Sequence, residues 1–339
     1  MKKKSSAYAK AGVDIGLGNA LKDTLPALVR ATHGPRVLGG IGAFGGLFRA
    51  SFPGMKDPVL VASMDGVGTK LNIAVLAGKH DTVGEDLVNH CVNDIAVMGA
   101  RPLFFLDYIG AGKLDPRVFT SVVAGLARAC RRAGCALLGG ETAQMPGLYR
   151  GQDYDLVGCI VGVVDRARIL DGSRVRAGDK LIALPSNGLH TNGYTLARRV
   201  LLGKMKLRVN DRLPGSRCTV ASELLRVHRN YEPALRSLPA GLVRAAAHIT
   251  GGGLPDNLPR ALPAGLGAVI ERKKLRVPHI FRLIAEKGRV AEDEMFRVFN
   301  MGTGMVLVVP AKDAARTAEK LGGRIVGEVA KGPRRVQFV

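Results

Sequence analysis

The sequence predicts a two-domain α/β protein, and three observations support this. Its 339 residues are enough for about two domains that each bury a core. Glycine occurs 44 times and 47% of the residues are hydrophobic, as expected for a compact protein with many tight turns. Short apolar runs typical of strands alternate with longer segments of helical pattern. We place the domain boundary in a basic segment, so that the domains comprise residues 1–168 and 169–339.

The first strong strand signal is the apolar run from Val59 to Ala62, and a polar loop follows it. The loop contains an acid, two glycines, a hydroxyl and a lysine, namely Asp65, Gly66, Gly68, Thr69 and Lys70. Glycines let backbone N–H groups approach phosphate oxygens, the lysine supplies positive charge, and the carboxylate suits Mg²⁺. The spacing is not that of a P-loop, and D-G-x-G also occurs in hairpin turns. The loop therefore indicates a polyphosphate site only in combination with other stretches.

A glycine-rich segment, residues 39–48, precedes this strand and includes Gly45. So many glycines around two phenylalanines are typical of a flexible flap, and we expect it to cover a nucleotide. Simple packing of a low-complexity segment is the alternative.

A helix is predicted from Asp81 to Gly99, with Pro102 just beyond it. Asp86, His90 and Asp94 are spaced by four residues and Asn93 lies beside them, so they form a polar stripe on an otherwise apolar helix. A solvent-exposed face is the simplest explanation, but such a face normally carries Lys and Glu, and this helix has no Lys or Arg. The stripe therefore favours a metal-phosphate site.

A later strand, residues 136–138, runs into a second loop that contains Gly140, Glu141 and Thr142. Three acids, Asp65, Asp94 and Glu141, thus stand in similar settings at the ends of elements or beside them. Each alone could be a cap or turn residue, but together they predict ligands that converge on one or more Mg²⁺ ions.

The second domain contains two polar glycine loops. The first, residues 186–193, includes His190 and Asn192 and precedes a predicted helix, whose N-terminus can bind an anion. The second, residues 248–253, includes Gly251 and Gly252 and has a phosphate-cradling composition. His190 is a candidate general acid or base, or a donor to phosphate, although a lone histidine is more often structural.

The net charge of +22 is unusual, and residues 165–245 alone carry 16 Lys or Arg and six acidic residues. A nucleic-acid-binding protein can look like this, but aromatic residues are few at 5% and show no stacking pattern. We expect no specific nucleic-acid partner, and interpret the surface as one that attracts anionic substrates. The five cysteines form no metal or CxxC spacing, and no apolar run is long enough to span a membrane, so we expect a cytoplasmic protein.

Seven stretches together resemble the phosphoribosylformylglycinamidine cyclo-ligase (AIR synthetase) family of purine synthesis. They are the glycine-rich flap and residues 65–70, 92–94, 139–146, 188–194, 248–253 and 299–305. The resemblance implies two α/β domains of the AIR synthase-like fold and a homodimer whose first domains pair into a shared barrel, with ATP sites near that interface. The implied reaction converts formylglycinamidine ribonucleotide and ATP to aminoimidazole ribonucleotide, ADP and phosphate with Mg²⁺.

On this resemblance, Asp65, Asp94 and Glu141 are expected to bind the metal. Lys70 is expected to bind the polyphosphate and His190 to act on the transferring group or a proton. Pro26 stands where relatives often have a lysine; if that lysine contacts the nucleotide, Lys22 or another cation has to substitute for it. The same superfamily contains an amidotransferase, thiamine-phosphate kinase and selenophosphate synthetase. The absence of cysteine before Cys91 argues against the last, and the paired loops of the second domain argue against the kinase.

Overall fold

The computed structural model describes residues 15–22, 24–39 and 45–339, with the side chains of Ile15 and Lys22 excepted. Residues 40–44 of the predicted flap and the side chain of Lys22 therefore lie outside the described part. The mixed α/β architecture with two mixed sheets confirms the predicted fold class.

The first sheet contains four strands in the order β1-β4-β2-β3. Their bounds are β1 (Pro58–Gly66), β2 (Arg101–Ala111), β3 (Ala136–Gln144) and β4 (Tyr154–Asp165). Strand β4 pairs antiparallel with both β1 and β2, whereas β2 and β3 are parallel. The helices of this part are α1 (Ile15–Lys22), α2 (Leu25–Arg30), α3 (Lys70–Ala77), α4 (Asp81–Ala96) and α5 (Pro116–Ala133).

The second sheet contains six strands in the order β10-β7-β9-β5-β8-β6. Their bounds are β5 (Lys180–Pro185), β6 (Ala245–His248), β7 (Leu266–Ile270), β8 (Thr303–Val309), β9 (Arg324–Lys331) and β10 (Val336–Phe338). The helices are α6 (Tyr194–Arg198), which continues as a π-helix over Arg199–Lys204, α7 (Val220–Leu224), α8 (Glu232–Arg236), α9 (Gly253–Asn257), α10 (His279–Gly288), α11 (Glu292–Val298) and α12 (Ala311–Leu321). The first sheet ends at residue 165 and the second begins at residue 180; the predicted boundary between residues 168 and 169 lies between them and stays a prediction.

Helix α4 is the central element of the first domain, because almost every residue in it is buried. It crosses α5 at close range through two glycines. A Cβ on Gly84 would lie 2.3 Å from the Val122 carbonyl oxygen, and a Cβ on Gly125 would lie 2.3 Å from the Asp81 carbonyl oxygen. The predicted helix thus exists, but it is buried on all sides, which the solvent-face alternative does not allow.

The outer face of the first sheet is apolar and exposed. Strand β1 alternates strictly, so that Leu60 and Met64 point away from α4 and remain 62% and 70% exposed. Leu106 of β2 shares this face and is 36% exposed. A contiguous apolar face of this kind is typical of a surface that another molecule covers.

In the described part of the chain, no helix is both long and apolar enough to cross a lipid bilayer.

Candidate active site

The site forms where the end of β1, helix α4 and three segments of the second domain meet. Asp65 lies near the end of β1, and its Oδ2 is 2.9 Å from Nε2 of His90 on α4. One turn further along α4, Asp94 Oδ1 lies 2.8 Å from Nδ1 of His248, at the end of β6. Asp94 Oδ2 also accepts a hydrogen bond from Ser63 Oγ at 3.0 Å. The side chains of Asp65 and Asp94 are 43% and 27% exposed, so two carboxylates face an opening between the domains.

A continuous chain of polar contacts joins the two carboxylates through the interior. His90 Nδ1 lies 2.8 Å from Thr191 Oγ1, which is 3.3 Å from His228 Nδ1. His228 Nε2 in turn lies 2.9 Å from His248 Nε2. Three imidazoles and one hydroxyl therefore connect Asp65 to Asp94, and all four are buried.

This network sets the charges of its members. Burial works to raise the pKa values of Asp65 and Asp94, but His90 and His248 outweigh it and hold both pKa values below the usual range. Burial works to lower the pKa of His90, but Asp65 and Asp94 keep it above its usual value. Burial and the neighbouring positive groups hold the pKa of His228 well below its usual value. The carboxylates are therefore ionised at neutral pH and His228 is neutral.

Lys70 does not present its ammonium to a ligand, contrary to the prediction from sequence. Its side chain is fully buried, and Nζ lies 2.8 Å from the Asp86 carboxylate. The ammonium also donates to the carbonyl oxygens of His190 and Arg226, at 3.1 and 2.7 Å. Because an ammonium has three hydrogens, no donor is left for a phosphate. Lys70 is a buried structural cation in this structure.

The polar stripe of α4 serves two purposes, of which the sequence predicted one. His90 and Asp94 face the opening, but Asn93 is fully buried and its side chain is hydrogen-bonded to the second domain. Its Nδ2 donates to the Arg229 carbonyl at 2.8 Å, and its Oδ1 accepts from the Tyr231 amide at 2.7 Å. Asn93 therefore fixes the segment that carries His228, and its fully buried side chain is not open to the metal-phosphate site predicted for the stripe.

His190 is buried rather than free in its loop. Its ring stacks on His228 with centroids 4.1 Å apart, and its backbone adopts a positive φ of 62°. Among the described residues, Nδ1 has no hydrogen-bond partner. Burial and the charges of His248 and Lys70 hold the pKa of His190 well below its usual value. A catalytic role for this imidazole requires movement of the loop, because the ring is closed off from solvent here.

The two glycine loops of the second domain lie side by side. Asn192 approaches Gly251 so closely that a Cβ there would be 3.2 Å from the Asn192 Oδ1. Gly252 has a positive φ of 91°.

Across the opening, Thr69 Oγ1 lies 3.1 Å from Thr195 Oγ1 at the start of α6. Gly66 and Gly68 belong to the same edge, and Gly68 has a φ of 66° with open space around its α-carbon. This edge unites the predicted loops of both domains.

Glu141 does not converge with Asp65 and Asp94, and this corrects the prediction of a three-acid centre. Asp65 pairs across the sheet with Gly158, Asp107 and Gly140, so these four positions share the face toward α4. Glu141 is the next residue along β3 and points to the opposite face. Three strand spacings of about 4.8 Å also separate β3 from β1. Gly45 lies beside β3, because its neighbour Gly46 is against Leu138 of that strand. Gly140 and Thr142 also belong to β3.

The residues present fit a divalent cation. Two ionised, partly exposed carboxylates face one opening, and carboxylate oxygens are the donors that Mg²⁺ prefers. His90, Asp94 and His248 also offer ligand atoms that all lie within 4.8 Å of one another. The arrangement can therefore hold a cation at Asp65 and Asp94 beside loops suited to phosphate.

His228 is the residue that sequence analysis missed. It stands in a segment with no recognisable motif, and only the fold brings it between Thr191 and His248. His90 and His248 were noted within their motifs but not as partners of the carboxylates. The one available signal was that α4 carries several polar residues but no Lys or Arg, unlike an ordinary exposed face.

Comparison with known families defines the class of this protein. The family described as AIR synthase related protein, N-terminal domain, matches residues 51–164, and the C-terminal domain of the same description matches residues 176–338. Two solved structures share the fold. They are thiamine-monophosphate kinase from Stenotrophomonas maltophilia (TM-score 0.66, 20% identity, 94% of this chain and 95% of that one) and hydrogenase maturation protein HypE in complex with ATP (TM-score 0.67, 17% identity, 95% and 90%).

Two curated relatives are much more similar in sequence, and both are named phosphoribosylformylglycinamidine cyclo-ligase. The relative from Citrifermentans bemidjiense is 51% identical over 337 residues, which cover 98% of this chain and 97% of the relative. The relative from Geobacter sulfurreducens is 48% identical over 348 aligned positions, which cover both chains completely. The chain belongs to the phosphoribosylformylglycinamidine cyclo-ligase family, which confirms the resemblance seen in its motifs.

Proposed function

We propose that this protein catalyses the ATP-dependent cyclisation of formylglycinamidine ribonucleotide to aminoimidazole ribonucleotide, with release of ADP and phosphate. The observation that carries the proposal is the identity of about half of all residues, over nearly the whole chain, with relatives named for this reaction. The pair of carboxylates between two phosphate-type loops supports it, because the reaction needs both a cation site and anion sites.

The chemistry has two steps. An amide carbonyl is a poor electrophile, so its oxygen first attacks the γ-phosphorus of ATP, and ADP leaves. A nitrogen of the amidine then attacks the activated carbon, the carbon–oxygen bond breaks, and phosphate leaves with the former amide oxygen. Loss of a proton from the attacking nitrogen completes the ring. Both steps develop negative charge on phosphate oxygens, which fixed donors and cations stabilise.

The roles of this chain's residues follow from their positions. Asp65 and Asp94 would hold Mg²⁺, which would neutralise phosphate charge when bound. The edge formed by Gly66, Gly68 and Thr69 offers backbone and hydroxyl donors to a polyphosphate. In the second domain, the loops of Asn192 and of Gly251 with Gly252 suit the ribose phosphate of the substrate. Glu141 points to the other face of the sheet, so we do not include it among the ligands of this metal.

We also propose a homodimer formed through the outer face of the first sheet. A second copy is the occupant that the resemblance implies, and Leu60 and Met64 offer the apolar surface that such an interface needs. Met64→Glu should convert a dimer to a monomer in analytical ultracentrifugation, whereas Leu148→Glu, at another exposed apolar residue, should not. A dimer that persists in Met64→Glu and in Leu60→Glu would contradict this interface.

We infer a reducing, cytoplasmic location. All five cysteines are free thiols, and three of them are fully buried in apolar surroundings.

A coupled assay for ADP tests the proposed activity. ADP release should require formylglycinamidine ribonucleotide and should not occur with thiamine phosphate, the alternative suggested by the fold neighbours. ADP release with thiamine phosphate alone would overturn the proposal.

A further inference from the structure

We propose that His90, Asp94 and His248, with Asp65 beside them, form a nitrogen-containing site for a divalent transition-metal ion such as Zn²⁺ or Mn²⁺. This inference concerns the carboxylates used in the proposed function, and it rests on that function only for what the metal does in turnover. It names a class of ion and a set of ligands that Mg²⁺ chemistry alone does not require, because imidazole suits first-row transition ions and Mg²⁺ prefers oxygen.

The spacing of the donor atoms fits such an ion. Bonds of about 2.0–2.1 Å at tetrahedral angles put ligand atoms about 3.3 Å apart. Here His90 Nε2 lies 2.9 Å from Asp65 Oδ2 and 3.9 Å from Asp94 Oδ2, and His248 Nδ1 lies 2.8 Å from Asp94 Oδ1. The ligand atoms of His90, Asp94 and His248 all lie within 4.8 Å of one another. Around an ion the two contacts of 2.8 and 2.9 Å would lengthen and the 3.9 Å contact would shorten, each by about half an ångström.

The Nε2 atom of His90 is available to an ion. His90 Nε2 is buried and makes no hydrogen bond of acceptable geometry with any described residue, although it lies close to two carboxylates. This buried ring nitrogen, which has carboxylate oxygens at 2.9 and 3.9 Å but no well-aligned hydrogen bond, can bind a cation that lies between them.

Both imidazoles are also supported from behind, as metal-bound histidines usually are. His90 contacts Thr191 Oγ1 through Nδ1, at 2.8 Å, and His248 contacts His228 through Nε2, at 2.9 Å. His90 Nδ1 and His248 Nε2 are thus occupied, whereas His90 Nε2 and His248 Nδ1 face the carboxylates. Thr191 and His228 are positioning residues in this proposal.

The site is open on one side. The imidazoles of His90 and His248 are almost completely buried, whereas Asp65 and Asp94 are partly exposed at the opening between the domains. An ion can enter through this opening and keep a coordination position for a phosphate oxygen, which is the pattern of catalytic rather than structural metal sites.

Cobalt(II) is the probe that tests this site, because its visible absorption reports coordination. The full chain, freed of metal with a chelator, should bind one equivalent of Co²⁺ and develop the intense absorption of a four- or five-coordinate ion. His90→Gln and His248→Gln should each weaken binding at least about tenfold. His279→Gln is the matched control, because His279 is outside the proposed ligand set and is hydrogen-bonded to the Pro214 carbonyl. The pale spectrum of Co²⁺ with six water ligands, or equal binding of Co²⁺ by all variants, would overturn the proposal.

X-ray absorption on the wild-type protein covers the case in which the histidine variants fail to fold. Two imidazoles should appear in the outer-shell scattering of bound cobalt, and their absence would overturn the proposal. Substrate-dependent ADP release is measured separately. Its failure with a normal cobalt spectrum refutes the proposed function, whereas turnover with Mg²⁺ and no imidazole coordination refutes only the metal site.

Discussion

The Lys70 Nζ lies 2.8 Å from the Asp86 carboxylate, and neither side chain has any exposure to solvent. The same carboxylate accepts a hydrogen bond from the His228 amide at 2.7 Å, while Lys70 donates to the carbonyl oxygens of His190 and Arg226. One buried ion pair in the first domain thus binds the backbone of two second-domain segments that line the site. The pair therefore connects domain packing to the geometry of the site.

Removal of one partner of this pair should be strongly destabilising. Lys70→Met leaves Asp86 buried without its counter-ion, which typically costs about 3–5 kcal/mol. The free energy of unfolding in urea measures this loss. Lys180→Met is the control, because Lys180 pairs with Glu328 at a partly exposed position and should cost less than about 1 kcal/mol. Lys70→Met together with Asp86→Leu should be more stable than Lys70→Met alone. Equal losses in the two lysine variants would refute the structural role of Lys70.

The burial of Lys70 illustrates what sequence can and cannot predict here. Local signals are strong for the elements. For example, Asp115 caps α5 through the amides of Arg117 and Val118, and Pro116 begins the helix. Such signals also single out Asp65 and Asp94. They could not show that Asp86, 16 residues from Lys70, would take the ammonium, because that depends on how α3 and α4 pack.

Strand order and side-chain direction explain the other differences. Glu141 follows a strand end just as Asp65 does, so the two look equivalent in sequence. Only the order β1-β4-β2-β3 and the alternation of faces separate them. His228 has no local pattern at all, and its place follows from the bonds that α4 makes to the second domain.

Two glycines of the second glycine loop should respond differently to a methyl group. A Cβ on Gly253 would lie 1.8 Å from the Phe296 carbonyl oxygen, and the residue has a φ of 59°. Gly253→Ala should therefore cost about 2–4 kcal/mol of stability. Gly251→Ala meets only the Asn192 side chain at 3.2 Å and should leave stability nearly unchanged. Thermal unfolding measures both, and a stable Gly253→Ala variant would contradict the packing described.

Replacement of Asp94 and of Glu141 by the corresponding amide should affect catalysis differently. Asp94→Asn removes a negative charge that lies between His90 and His248. Because we expect Asp94 to bind the metal that neutralises phosphate charge, turnover should fall on the order of 10²-fold. The rate of ADP release at saturating substrate measures this effect, with circular dichroism to verify folding. Metal dependence should shift in Asp94→Asn and remain unchanged in Glu141→Gln. A shift of metal dependence in Glu141→Gln but not in Asp94→Asn would instead place the metal at Glu141 of β3.

The buried histidines should make the protein sensitive to acid. Burial and nearby positive charge hold the pKa of His190 well below the value of about 6.5 that it has in the unfolded chain. The unfolded state therefore binds more protons, so stability is complete above about pH 6.5 and falls as the pH drops below it.

His190→Asn removes this titration and tolerates the positive φ at residue 190. Unfolding free energies at pH 7.5 and 5.5 should therefore fall less steeply in the variant, by up to about 1.4 kcal/mol per pH unit. Parallel pH profiles for variant and wild type would mean that His190 is accessible and titrates normally.

The central claim is that the chain activates an amide oxygen by phosphorylation and then expels it as phosphate. Formylglycinamidine ribonucleotide labelled with ¹⁸O in the formyl group tests this directly, with mass spectrometry of the released phosphate as the measurement. We expect one ¹⁸O atom in each phosphate and one ADP for each ring closed. Unlabelled phosphate, with the ¹⁸O recovered in water, would contradict it.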